Sequence, residues 1–216
     1  MQRGVSRMYQ HSGRMNFVLH TEADSLFQNA LISFEEVEPA SEKLLKATGS
    51  GLTLKVTNFY PTKQIKVTAT YPDPGVPVSL FRFHPSLKRY LVVAHPEKRG
   101  GKNYYDFFIK EGGIFVQMQD LSPPVIGRPM MFHKPDQKNG NFFIREYVAR
   151  EIGSGINLKK TKVLWNGKPH PFRWENDRQV FVVEIPEELA PGLLSIQTID
   201  RGENLSPWFF DFVGIE

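Results

Sequence analysis

His20 and Asp24, in the stretch HTEAD, are separated by three residues. An imidazole and a carboxylate can both ligate zinc, and a catalytic site needs three such protein ligands, the fourth tetrahedral position being left to water. No H-x-H occurs among His11, His20, His84, His95, His133 and His170 to complete the set, and the pair lacks glycine-rich surroundings. One pair cannot hold a catalytic zinc, so the spacing reads as coincidence. Serine chemistry fares no better: GSG at 153–155 lacks the G-x-S-x-G spacing of a nucleophile elbow. Glu187 and Glu188 are adjacent and point different ways, which suits the first turn of a short helix better than paired acid–base work. EKRGGK at 97–102 holds glycine and lysine but not in phosphate-loop order. With no cysteine, thiolate metal sites, disulfides and cysteine nucleophiles are excluded. The reading is a chain without catalytic residues, cofactor or metal.

Binding chemistry is better represented. Phe172, Arg173 and Trp174, joined by Tyr147 and Trp165, are candidates for an aromatic platform against the apolar faces of sugar rings. Trp165 shares parity with Val163 before a hairpin turn and is expected in the core; Trp174, Phe172 and Arg173 remain the candidate surface. The net charge of +4 is uneven: residues 1–119 hold 15 Lys+Arg against 10 Asp+Glu, and residues 120–216 hold 12 against 13. Within the basic part, Arg82, Lys88, Arg89, Lys98, Arg99 and Lys102 face only Glu97 along the chain. Arg89, Lys98, Arg99 and Lys102 are therefore candidates for contact with an anionic polymer, set against the plainer alternative of a solvated hairpin surface. No nucleic-acid motif accompanies them.

The elements that must carry these residues are strands. Residues 52–59, 63–71, 76–85, 88–96, 103–110 and 113–120 are short runs rich in β-branched or aromatic side chains, punctuated by YPTK, YPDPG, HPSLK, PEKRGG and EGG. In the second of these, Ile65, Val67, Ala69 and Tyr71 share one face, the alternation of a half-buried antiparallel strand. Residues 142–151, 160–165, 178–186, 192–200 and 208–213 repeat the style, and Asn166-Gly167 is the pair that supplies positive φ at both centres of a tight hairpin turn. Helix is hinted at only over 38–47 and 185–192. The expectation is an all-β chain of two antiparallel β-sandwich domains in tandem. Its divisions are a flexible segment over 1–14, a first domain over 15–120 and a second over 121–216, with Pro123-Pro124 stiffening the passage. No run of the roughly 20 apolar residues that span a membrane is present, nor the apolar core of a signal peptide at the start. The chain is then either cytosolic or a piece of a longer exported protein.

Three stretches carry a resemblance: DLSPPVIG (120–127), REIGSGIN (150–157) and IDRGENLS (199–206), with the N-G turn and the PEELAPG approach between the last two. In order and spacing they resemble a bacterial immunoglobulin-like module of secreted multidomain proteins. The chain departs from that pattern twice: Glu151 stands where the family carries Asp, and Glu203 is inserted within its Gly-Asn pair. Residues from ADSLFQNALISF onward to GGIFVQMQDLSPP are similar to the β-sandwich that precedes such a module in C-terminal regions of lysostaphin-like peptidoglycan metallopeptidases. The resemblance implies a second domain of immunoglobulin type. In it Asp200, Gly202 and Asn204, together with Gly153 and Gly155 and the Asn166-Gly167 turn, shape the backbone: Asp200 caps a turn with its carboxylate, Gly202 gives freedom and Asn204 takes the left-handed region. Trp208, Phe210 and Phe212 are then expected to alternate into the core as the closing strand.

The function expected is a non-catalytic accessory, spacer or binding region of an exported envelope protein, periplasmic or extracellular, appended to a peptidoglycan hydrolase. Its partners would be cell-wall glycan or the adjacent catalytic domain, with no nucleic acid and no membrane span. The alternatives are an autonomous carbohydrate-binding module using surface aromatics, and a truncated or degenerate relative of the zinc metallopeptidases.

Overall fold

The computed structural model describes residues 6–26, 29–136 and 140–214, the side chains of 131–141 excepted. The chain divides into two units, Met1–Leu121 and Ser122–Glu216. Both are built of antiparallel sheets, and the protein is all-β.

The first unit contains β1 (Arg7–Ser12), β2 (Asn16–Thr21), β3 (Leu31–Val37), β4 (Leu45–Ala47), β5 (Gly51–Thr57), β6 (Ile65–Pro72), β7 (Ser79–His84), β8 (Arg89–Ala94), β9 (Glu97–Arg99), β10 (Lys102–Ile109) and β11 (Gly113–Asp120). One sheet runs β1-β2-β6-β10-β9 and the other β3-β5-β11-β7-β8, with β4 added on β11. Residues 7–12, expected in a flexible segment, instead form β1, which pairs with β2 from Arg7↔Thr21 to Ser12↔Asn16. The helix hinted at over 38–47 is also absent: its C-terminal end is β4. Alternation in β6 holds, with Ile65, Val67, Ala69 and Tyr71 all buried. They pack with Phe17, Leu19 and Phe107 of their own sheet and with Leu52, Leu54 and Phe115 of the other, so both sheets share one core. β11 is buried on both faces, because Val116 and Met118 join a second cluster with Leu45, Phe81 and Tyr90.

The second unit contains β12 (Val125–Asp136), β13 (Gly140–Arg150), β14 (Lys162–Trp165), β15 (Lys168–Pro169), β16 (Arg173–Glu175), β17 (Val180–Pro186), a single 3₁₀ turn over Glu187–Leu189, β18 (Gly192–Gln197) and β19 (Phe209–Val213). The helix hinted at over 185–192 is that one turn. The sheets run β12-β13-β17-β16 and β15-β14-β18-β19. Tyr147, Phe181, Val183 and Ile185 from the first meet Val163, Trp165, Leu194, Ile196 and Val213 from the second. Asn166 (φ 47°) and Gly167 (φ 78°) make the β14–β15 turn, whose two positive φ values match the twist of a two-residue hairpin. Gly192 has a steric reason of its own: a Cβ there would lie 2.2 Å from the Trp165 ring, so only glycine lets that indole lie across β18.

Candidate functional site

The polar breaks in the second unit build corners. Asp200 is fully buried, and its Oδ1 accepts the Asn204 backbone N–H at 2.8 Å while Oδ2 accepts the Asn204 side-chain amide at 2.9 Å. The left-handed residue of this turn is Glu203 (φ 66°) rather than Asn204, so the inserted residue itself takes the conformation expected of the asparagine. The Gly202 N–H donates to Ser154 Oγ at 2.8 Å, tying the GSG loop to the corner. In that loop Glu151 accepts the N–H groups of Gly153 and Gly155, the latter at φ 84°. The Glu151 and Asp200 carboxylates approach within 4.8 Å of each other, and each of their four oxygens accepts a protein N–H. Bonds of this kind fix backbone direction.

His20 and Asp24 join no third donor among the described residues. Asp24 instead pairs with Lys63 at 2.7 Å, and that hydrogen bond, ahead of the opposing desolvation, holds its carboxyl below the usual range. His84 ends β7, where its Nδ1 accepts the Leu87 N–H at 3.3 Å; His95 Nδ1 meets Ser79 Oγ at 2.9 Å.

Two cations of the basic stretch meet acids that are distant in sequence, and a third meets a near neighbour. Lys98 pairs with Asp73 at 3.1 Å, Arg99 with Glu97, and Arg82 with Glu111 and the Gly112 carbonyl. The Arg99 guanidinium also lies 5.8 Å from the centre of the Tyr104 ring. The cations are distributed over both sheets, Arg82, Lys88 and Arg89 at the β7–β8 hairpin and Lys98, Arg99 and Lys102 at β9–β10.

Trp165 is a core residue, as its parity with Val163 implies, and Tyr147, a candidate for the platform, is in the core with it. Phe172 and Trp174 are half-buried, their rings 5.4 and 4.7 Å from that of buried Phe181, while Arg173 points out and pairs with Glu175. In the second unit, three aromatics expected inside face solvent: Trp208, Phe210 and Phe212 are 37%, 59% and 67% exposed. Trp208 and Phe210 stack at 6.4 Å with 26° between their planes. Leu193, opposite Phe212 across the β18–β19 ladder, extends the patch, and β19 is an edge strand.

The cause is Asp211. It shares its face with Phe209 and Val213 and points between the sheets, where Tyr147 Oη donates to its Oδ2 at 2.6 Å. Buried Arg145 places Nε 3.6 Å from the same oxygen. Desolvation, and then the hydrogen bond to Asp211, push the Tyr147 phenol far above its ordinary range. A strand cannot turn Asp211 inward without turning Phe210 and Phe212 outward, because successive side chains take opposite faces. The sequence signal was available: one carboxylate centred in an aromatic run, and one arginine, Arg145, on a strand whose neighbours two residues away are apolar.

No protein-family model matches the sequence, and no curated protein is significantly similar to it.

Proposed function

We propose that the chain is a non-catalytic binding and spacing region of an exported envelope protein, of the kind appended to peptidoglycan hydrolases, and that the outer face of β19 is its contact with glycan. The observation that carries this reading is the exposed row of Trp208, Phe210 and Phe212. Contiguous exposed apolar surface marks interaction sites, and near-parallel exposed rings offer a flat surface for the apolar faces of sugars. An edge strand adds backbone donors and acceptors beside the rings.

Support for an immunoglobulin-like second unit comes from its strand order. Lettered along the chain, β12-β13-β17-β16 reads A-B-E-D and β15-β14-β18-β19 reads C′-C-F-G, the partition of strands between sheets in immunoglobulin domains. In that frame the aromatic row lies on the last strand, and the Asp200 corner is the loop that leads into it.

The test is co-sedimentation of the full chain with purified peptidoglycan, chitin and cellulose, alongside a Trp208→Ala/Phe210→Ala/Phe212→Ala variant. Retention of wild type on at least one of these polymers, and its loss in the variant, is the expected result. Undiminished retention of the variant would sink the assignment of this face, and a matching fall on Trp174→Ala alone would move the site to β16. Charge reversal at Arg89 and Arg99 measures what the basic residues add.

A further inference from the structure

The first unit holds a second feature, independent of the β19 face. Along the inner face of β10 the residues run Ile109, Phe107, Tyr105, Asn103, from apolar to polar toward one end of the strand. Register places Asn103 directly across from Tyr71, the last inward residue of β6. On the facing sheet, Gln117 of β11 is buried and donates from Nε2 to Tyr105 Oη at 3.0 Å, while its backbone carbonyl accepts from Thr48 Oγ1 at 3.1 Å. Tyr71 Oη donates to the Phe115 carbonyl at 3.4 Å. Asn103 is fully buried, and neither atom of its amide has a hydrogen-bond partner among the described residues. Buried polar groups in native interiors are paired with protein, ordered water or ligand.

A cavity of about 390 Å³ is lined by Tyr71 and Gln117, with Asn103 outside its lining; its size lies toward the lower limit of ligand-sized sites, which run from about 300 to 1,000 Å³. Gln117 and Thr48 supply amide and hydroxyl groups, Tyr71, Pro72 and Pro74 an apolar wall, and Arg14 and Ser50 the rim. Arg14 Nη1 donates to Ser50 Oγ at 3.2 Å, and among the described residues no carboxylate pairs with its guanidinium. The nearby Glu36 is turned to the Arg14 backbone N–H at 3.1 Å and to His11 at 3.5 Å. The rim thus presents one guanidinium, the group suited to bidentate carboxylate recognition.

We propose that this cleft binds a small hydroxylated ring bearing one carboxylate, a sugar acid of the uronate class. Arg14 meets the carboxylate, Ser50, Thr48 and Gln117 read the hydroxyls, and Tyr71 with its prolines takes the apolar ring face.

Titration of the isotope-labelled full chain with glucuronate, followed by amide chemical shifts, tests this, with glucose and acetate as separate arms. The expected result is saturable shifts at Thr48, Ser50 and Gln117 with glucuronate, at least tenfold weaker binding of glucose and of acetate, and at least a tenfold loss of glucuronate affinity in Arg14→Gln. Arg14 is exposed, so that variant folds; Ser50→Ala, at the same rim, should lose a smaller factor of about three. The proposal is overturned if glucuronate moves none of these amides, if Arg14→Gln binds it equally well, or if acetate binds as tightly. Shifts confined to β19 would overturn it as well while leaving the aromatic face intact.

Discussion

Two aromatic stretches of the second unit, Phe172-Arg173-Trp174 leading into β16 and Phe210-Asp211-Phe212 in β19, have similar sequences and opposite fates. Each alternates aromatics with a charged residue, Arg173 in one and Asp211 in the other. In β16 the charge faces solvent and the rings close over Phe181. In β19 the charge faces inward and the rings face solvent. The difference lies in whether a buried partner awaits the charge. Exposed Arg173 pairs with half-buried Glu175 on its own strand, whereas Asp211 finds Tyr147 and Arg145 between the sheets. A buried guanidinium left unpaired is costly enough to outweigh the transfer of two phenyl rings into water.

The largest effect is expected from removing that partner. Asp211→Ala strands Arg145 in the core and should cost about 3 to 5 kcal/mol, seen as a lowered midpoint in urea with the slope unchanged; a loss under 1 kcal/mol would mean that Asp211 does not set the parity of β19. Trp174→Ala, which removes a ring from Phe181, should cost about 2 to 3 kcal/mol. Gly192→Ala forces a Cβ into the Trp165 ring, and an overpacking penalty of about 1 to 3 kcal/mol should appear in the same unfolding experiment.

Alkaline titration sharpens the comparison further. The Tyr147 phenol is raised above its ordinary value of 10.0. Its contribution to stability is therefore complete below pH 10 and lost as pH rises, because the unfolded chain releases that proton first. Above pH 10, Tyr147→Phe should flatten the fall in stability by roughly 1.4 kcal/mol per pH unit; an unchanged slope would contradict the buried Tyr147–Asp211 bond. Smallest of all, Phe212→Ala should shift stability by no more than about 0.5 kcal/mol while weakening retention on glycan, so that the two strands separate cleanly: one aromatic set matters for folding, the other for contact.

Much of the fold was legible in advance. Alternation in β6, the Asn166-Gly167 turn and the polar corner at Asp200 are local signals, since period-two patterning, left-handed backbone preference and short-range carboxylate–amide bonds act within a few residues of one another. The corner was legible in kind but not in detail, because the choice of Glu203 for the left-handed position depends on where Ser154 and Asn204 hold the loop. The candidate sites were less legible. Lys98 and Arg82 find Asp73 and Glu111 at separations of 25 and 29 residues, and a charge run read along the chain cannot reveal partners on other strands. Asn103 shares the parity of Tyr105, Phe107 and Ile109, but Tyr104 and Phe108 make the other face of β10 aromatic too, so the sequence alone did not say which face is inside.

By itself, the sequence determined that this chain is made of short antiparallel strands joined by proline, glycine and asparagine turns, because those preferences are properties of neighbouring residues. Only the tertiary structure decided which face of each strand is inside. A strand with apolar side chains on both faces has two nearly equivalent orientations, and the choice between them belongs to whichever buried group on another strand must be paired: Arg145 for β19, Phe181 for β16.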